Sequence, residues 1–514
     1  MKNIAKLFVV ASLLSVATGC ESFLDVNTNP NNPSLESLQP NFVLAQSLKV
    51  TGDLSYNTLN TYGSWVAGYW AQAGGVNGYG EERTYTYTAI YNQDFWRDTY
   101  DNLKDYDIIE RDGPAAGYPY HAAIAKIMKV FDYQMLVDEY GDIPYTQALQ
   151  GASVITPKYD KAEDIYKDFI VKLDEAITEI KAVPAATAKP GTEDIIFRGD
   201  MNNWVKFANT LKLRILIRQS FVPTLNDYVK SEIAKLQSSD GFITTDVLVQ
   251  PGYLQTTGKQ NPFWNRYRAT PAADATARNY QAGTQYVIDQ YKNNNDPRLA
   301  QLYVRANDGT YKGLIPGDQA PPLGGPAISR WKDYGGILKG FDAPSPIMLA
   351  AESYFLQAEA KSRGFLSGGD SGAGTDFNNG IRASFVYFYT PAPSAPADSR
   401  VLGQVDSDYQ TYLAANTNNP MVNWSTASNR ADKLDKIIYQ KYLAMNSVTG
   451  GEAWSEYRRT TYPKFPASLE SASSRADKLP VRLLYPQYEI STNPENIPSG
   501  VNQFTSKIFW DVLD

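Results

Sequence analysis

The chain has 514 residues, with 48 Lys and Arg against 55 Asp and Glu, a net charge of −7, and a single His and a single Cys. Both signs of charge are dispersed, which excludes the clustered basic footprint of a nucleic-acid-binding protein. One thiol and one imidazole supply neither disulfides nor the ligand sets that hold zinc or copper. No cofactor is therefore expected, and stability must come from a large apolar core.

In chain order, the first nineteen residues form a targeting segment. Lys2 and Lys6 precede an apolar run from Leu7 to Val16 that is too short to span a bilayer. Ala17-Thr18-Gly19-Cys20 then puts small residues before the only cysteine, the layout of a bacterial lipoprotein signal, with Ala17 where Leu is usual. Cys20 is the expected lipid attachment point, and acyl chains anchor with about 0.8 kcal/mol per buried methylene. Residues 20–514 contain no Gly/Ser or Pro linker, so a single domain is expected. Asp25-Val26-Asn27-Thr28-Asn29-Pro30-Asn31, with Glu36 in the twelfth position, echoes a calcium loop. Pro30 stands where such a loop demands Gly, and turn-forming Asn-Pro packing is the preferred reading.

Long stretches rich in Gly, Pro, Asn and Tyr, at roughly 51–93, 240–280, 305–345 and 366–430, predict loops. Gly74 to Gly80 lacks a preceding strand and a phosphate-loop Lys, so it is expected to be a surface loop. Between these stretches, apolar residues recur every three or four positions. Trp96 and Tyr100 suit a core helix, and Ile124, Ile127, Met128, Phe131 and Met135 mark a helix over 122–137. A helix from Asp160 carries Ile165, Tyr166, Phe169, Leu173 and Ile180, with Asp160 and Glu163 at capping-box spacing and Pro184 as its stop. Trp204, Phe207, Leu211 and Ile215 define a helix over 202–218, and others are expected at 347–361 and 434–445. The fold class is mainly α: antiparallel helix pairs forming a scaffold that carries an irregular, aromatic-rich face, with no exact 34-residue repeat.

Catalytic signatures are weak. Gly369-Asp370-Ser371-Gly372 spells a serine-protease motif downstream of His121, yet it is expected in a flexible Gly-rich loop, far from the rigid frame that chemistry needs. No carboxylate pair stands out for glycoside hydrolysis. The stronger signal is aromatic, with 36 Tyr and 9 Trp. Trp65, Tyr69, Trp70, Asn77, Tyr79 and Arg83 occupy the first loop region, Trp264, Tyr267 and Arg268 the second, and Trp331, Lys332 and Tyr334 the third. Rings on loops can stack on sugar C–H faces or peptide side chains while Arg and Asn supply directional hydrogen bonds. Trp70, Tyr79, Arg83, Trp264, Tyr267 and Trp331 are the candidate ligand-binding residues, and the competing reading makes them plugs that pack loops onto the scaffold.

The segment from Ala125 to Leu149, AKIMKVFDYQMLVDEYGDIPYTQAL, resembles a signature of the SusD/RagB-like family. It is followed in the expected order by Phe197–Arg218, Ser345–Ala360 and Asp435–Pro463, then by LPVRLLYPQYEISTNPEN from Leu479 and KIFWD from Lys507. The resemblance spans nearly the whole mature chain. It implies tetratricopeptide-like helix pairs beside a less regular ligand-binding half. It also implies a surface lipoprotein of the outer membrane that is not an enzyme and captures glycans or oligosaccharides for a SusC-like, TonB-dependent transporter. Peptides or another small nutrient are the alternative ligands, and a hydrolase on a helical scaffold is the alternative function. Arg458 and Arg459, beside Glu452 and Glu456, are expected to be ion-paired around Trp454, because buried charges survive only when paired.

Overall fold

The computed structural model describes residues 39–426 and 429–513. Cys20, the targeting segment and the Asp25–Glu36 stretch lie outside the described residues. The described residues open with α1 (Pro40–Asp53), whose ladder widens into a π-helical segment (Leu54–Leu59) and returns to α2 (Asn60–Val66). Next come β1 (Trp70–Gln72), α3 (Gly80–Thr84), α4 (Gln93–Asp112), α5 (Pro119–Tyr140), β2 (Ile143–Pro144), β3 (Tyr159–Asp160), α6 (Ala162–Ala182), α7 (Met201–Arg218) and α8 (Asn226–Lys235). The middle of the chain adds β4 (Val247–Val249), α9 (Pro262–Tyr267), β5 (Gln281–Gly283), α10 (Gln285–Asn293), α11 (Leu299–Leu302) and β6 (Ser345–Met348). The last part is α12 (Ala350–Ser362), α13 (Gly369–Tyr389), α14 (Val405–Ala415), α15 (Arg430–Met445), α16 (Gly450–Thr460) and α17 (Gln487–Thr492).

Sequence neighbours pack as helix pairs: α4 on α5, α5 on α6, α6 on α7, and α12 on α13. This is the expected mainly α scaffold. The strands form three two-stranded antiparallel ribbons, β1–β5, β2–β3 and β4–β6, the last with a register irregularity at Val247/Leu248. Among the described residues no helix is long and apolar enough to cross a membrane.

Two loop expectations need correction. The 51–93 stretch is helical as far as Val66, because α2 is buried by long-range packing on α16 rather than by a one-sided apolar stripe. The 366–430 stretch contains α13 and α14, and Gly369-Asp370-Ser371-Gly372 is the first turn of α13, not a loop. Its glycines and polar residues hid a helix whose apolar face, Phe377, Ile381, Phe385 and Phe388, starts two turns later.

Helix ends are fixed by specific acceptors. Asp200 caps α7 by accepting from the backbone N–H of Asn202 (3.0 Å) and Asn203 (3.2 Å). The capping box expected from Asp160 does not form. Asp160 sits on β3 and its carboxylate turns back to the N–H groups of Tyr145 (3.0 Å) and Thr146 (2.8 Å). Asp142 accepts from the Ala162 N–H instead (2.9 Å).

The charges around Trp454 are paired as expected, although with more distant partners. Arg459 makes two-pronged contacts with Glu456 and with Glu359 of α12, and Arg458 reaches Glu139 of α5 (3.1 Å) while its guanidinium covers the Trp454 ring. Glu452 pairs with Arg218 and Arg214 of α7.

Candidate ligand-binding face

The site starts from the β1–β5 ribbon, in which Trp70 lies opposite Gly283 and Gln72 opposite Gln281. The ribbon holds Trp70 so that its indole N–H donates to Ser447 Oγ (2.8 Å) and its ring meets Trp331 at 4.9 Å and Tyr267 at 5.3 Å. Phe263 and Tyr267 come from α9, which Asn261 caps by accepting from the Trp264 N–H (3.0 Å). Tyr267 contacts Thr61 on α2 through its hydroxyl (2.8 Å) and meets the Trp331 ring edge-on at 5.6 Å. Trp65, at the end of α2, packs on Tyr79 at 4.9 Å, and the Tyr79 hydroxyl donates to Gln281 on β5 (2.8 Å). Trp264 packs on Tyr334 at 5.0 Å with the Arg268 guanidinium over its ring.

Three segments more than 60 residues apart thus converge on one aromatic cluster. Edge-to-face and tilted ring pairs of this spacing contribute about 0.5–1.5 kcal/mol each beyond burial. The cluster is a floor more than a surface: Trp70 is 1% exposed, Tyr267 2%, and Trp264 and Trp331 5% each. The Trp331 indole N–H is buried and meets no acceptor among the described residues. Along the same segments and just before β5, Asn77 and Arg266 are exposed, and Tyr79, Tyr280, Lys332 and Tyr334 are half-buried. Arg83 belongs to the rim by position, but its side chain is tied to Glu470 (2.7 Å) and to the Asp318 carbonyl (3.0 Å).

Tyr79 and Tyr334 both have left-handed backbones, with φ of 55°. Such geometry costs a non-glycine residue about 1–2 kcal/mol and persists where surrounding contacts enforce it, often at functional sites. Burial also pushes the Tyr79 hydroxyl well above its ordinary pKa, so it stays a neutral donor and acceptor.

Sequence reasoning missed the charged frame beside Trp264. Arg268 and Arg278 both contact Asp274, and both reach Asp333 at 2.8 Å. Neither acid was legible: Asp274 lies outside any α-helix, so its spacing from Arg278 carries no periodic signal, and Asp333 comes near only through tertiary folding. A separate open cavity of about 700 Å³ lies at the C-terminal segment against Tyr457, Phe465 and Leu469. It adjoins α3 at the rim, where Ser468 donates to the Arg83 carbonyl (2.5 Å).

The protease motif is not assembled. His121 Nε2 faces Glu193 (3.1 Å), and among the described residues it makes no hydrogen bond to Ser371. No group of three or more His, Cys, Asp or Glu converges in a metal-holding arrangement among the described residues.

Residues 30–486 match the family model SusD-like, described as starch-binding associating with outer membrane. No protein of curated function matches the chain. Among solved structures, a chitin-binding protein superposes with a TM-score of 0.73 at 26% identity, covering 92% of this chain and all of its own. A chitin-binding SusD homolog from Flavobacterium johnsoniae gives 0.72 at 24% identity, over 92% of this chain and 99% of its own. A SusD homolog from Bacteroides fragilis gives 0.71 at 23%, with the same coverage. With the family model covering most of its length and the helix-pair scaffold in place, the chain belongs to the SusD-like family.

Proposed function

We propose that the protein captures glycan chains at the outer membrane and passes them, uncleaved, to a SusC-like TonB-dependent transporter. The observation that carries this reading is the convergence of three segments distant in sequence on one aromatic floor, flanked by tyrosine and arginine. Family membership and the chitin-binding relatives favour a sugar polymer as ligand. Trp70, Trp264, Tyr267 and Trp331 act as the floor that sets the shape of the face. Tyr79 and Tyr334 present ring surface to the sugar, and Arg83 fixes the rim through Glu470. Cys20 carries the lipid anchor, which would hold the face outside the cell beside the transporter.

Calorimetric titration with chitin and starch oligosaccharides tests the reading. Saturable binding that weakens about 10-fold or more in Tyr334→Ala and Arg266→Ala, both at exposed or half-buried positions, is the expected result; about 1.4 kcal/mol corresponds to each factor of ten. Affinity unchanged in both variants would remove this face from the mechanism. Binding confined to peptides would change the ligand class, and released fragments would make the protein a hydrolase.

A further inference from the structure

The open cavity of about 700 Å³ beside the C-terminal segment falls within the about 300–1,000 Å³ typical of small-molecule pockets. Its floor is aromatic. Tyr457 of α16 and Phe465 meet at 4.7 Å, and Phe465 in turn stacks against Tyr442 of α15 at 6.1 Å. A Cβ on Gly68 would come within 2.5 Å of the Phe465 ring, so the left-handed glycine lets that ring seat against the backbone leading into β1. The floor is thereby fixed before any ligand arrives. Leu469, 72% exposed, adds an aliphatic wall, and Thr461 and Lys478 border the cavity with left-handed backbones (φ 58° and 59°). That conformation is uncommon outside glycine and recurs at ligand clamps.

The charge of this lining runs against that of the chain. Lys464, Arg475 and Lys478 stand against one carboxylate, Asp477, an excess of two positive charges in a molecule whose net charge is −7. Asp477 is already taken, because Arg475 donates to both of its oxygens at 3.1 Å. Glu470, beside the Leu469 wall, is taken by Arg83 (2.7 Å). Lys464 and Lys478 are exposed and form no ion pair among the described residues. Lys464 acts on Asp435 only from a distance, where burial first and Asp432 second keep that carboxyl above its ordinary pKa. Two ammonium groups are thus left for an anion.

We propose that this cavity is a second saccharide subsite, one that takes an acidic sugar, carboxylated or sulfated. Lys464 and Lys478 meet the anion as point charges while the C–H face of the sugar lies on Phe465 and Leu469. A bare inorganic ion would leave the aromatic and aliphatic surface wet, and an uncharged sugar would leave the lysines unused. That the ligand is a sugar rests on the glycan capture proposed above; that it is an anion rests on the lining alone.

Calorimetry with trigalacturonate and with a sulfated carrageenan tetrasaccharide separates the two kinds of anion. Saturable binding of at least one is expected, weakened about 10-fold or more in the Lys464→Gln/Lys478→Gln double variant and several-fold by raising salt from about 50 to about 500 mM. Both lysines are exposed, so the variant should keep the wild-type melting temperature. Its affinity for chitotriose, and the acidic-sugar affinity of Tyr334→Ala, should stay within about 2-fold of wild type, because the sites are independent. Acidic-sugar affinity retained in the lysine variant overturns the proposal, as does its loss in Tyr334→Ala alone, which moves the acid to the aromatic face. Failure of both acidic sugars to bind, or displacement by inorganic phosphate at equal affinity, overturns it as well. Chitotriose that binds nowhere, with lysine-dependent acidic binding intact, would instead remove the aromatic face and leave this cavity standing.

Discussion

Arg459 shows what a buried charge requires of its neighbours. Its guanidinium is fully buried and forms paired hydrogen bonds to Glu359 (2.8 and 2.7 Å) and to Glu456 (3.0 and 2.9 Å). Burial would raise the Glu359 carboxyl, but Arg459 and Arg363 outweigh it and hold that group below its ordinary pKa. Arg459→Met keeps the volume and removes the charge, leaving two carboxylates to share Arg363 and Lys441. Unfolding in urea should show a loss of about 3–5 kcal/mol, the cost of orphaning a buried ion. Pairing of these charges was legible in the sequence, because Glu452, Glu456, Arg458 and Arg459 recur at helical spacing. Their partners were not: Glu139, Arg218 and Glu359 come from helices that only the fold brings near.

At the scale of elements, α2 and α16 touch backbone to backbone. A Cβ on Gly63 would lie 2.2 Å from the Gly450 carbonyl carbon and the Gly451 nitrogen. Asn60 spans the contact, accepting from the Gly450 N–H (2.7 Å) and donating to the Ser447 carbonyl (3.0 Å). Ser447 in turn receives the Trp70 indole N–H, so the helix contact and the aromatic floor share a residue. Gly63→Ala should therefore destabilise the protein by about 2–4 kcal/mol, with rigid backbone on the far side leaving no room for repacking. A thermal melt measures the loss, and reduced oligosaccharide affinity at permissive temperature is expected to accompany it. This contact also explains why α2 was unreadable in the sequence. Its residues, Asn60-Thr61-Tyr62-Gly63-Ser64, are all buried although most are polar or small. The long apolar helices α5, α6 and α7 were read correctly because their packing partners lie next to them in the chain. The aromatic segments were read as candidates from composition, but their burial depended on contacts between distant loops.

For the molecule as a whole, two sets of buried carboxylates oppose each other in pH. Burial raises Asp132 to about 7, against hydrogen bonds from Asn102 and Thr51, and raises Glu139 to about 7 and Asp246 to about 6. These groups bind protons more tightly folded than unfolded, so their contribution is complete below pH 4 or so and is lost as pH rises through about 6–7. Glu359, Glu452 and Glu456 are held below their ordinary values by arginines, despite burial, and their contribution is lost in acid. Stability should peak in mildly acidic solution. Asp132→Asn removes one titration while Thr51 and Tyr106 can reorient their hydroxyls to satisfy the amide. Melting temperatures at pH 5 and pH 8 should differ less in this variant than in wild type, with a gain on the order of 2–4 kcal/mol at pH 8.

On the ligand capture proposed above, the buried aromatic floor has a consequence for how such a protein changes its diet. Trp70, Tyr267 and Trp331 belong at once to the hydrophobic core and to the face, so replacing them costs folding before it alters recognition. Asn77 and Arg266 are exposed, and Tyr334 is half-exposed. Divergence toward a new ligand is thereby channelled into a few rim positions, and the platform beneath them stays constant while the specificity above it drifts.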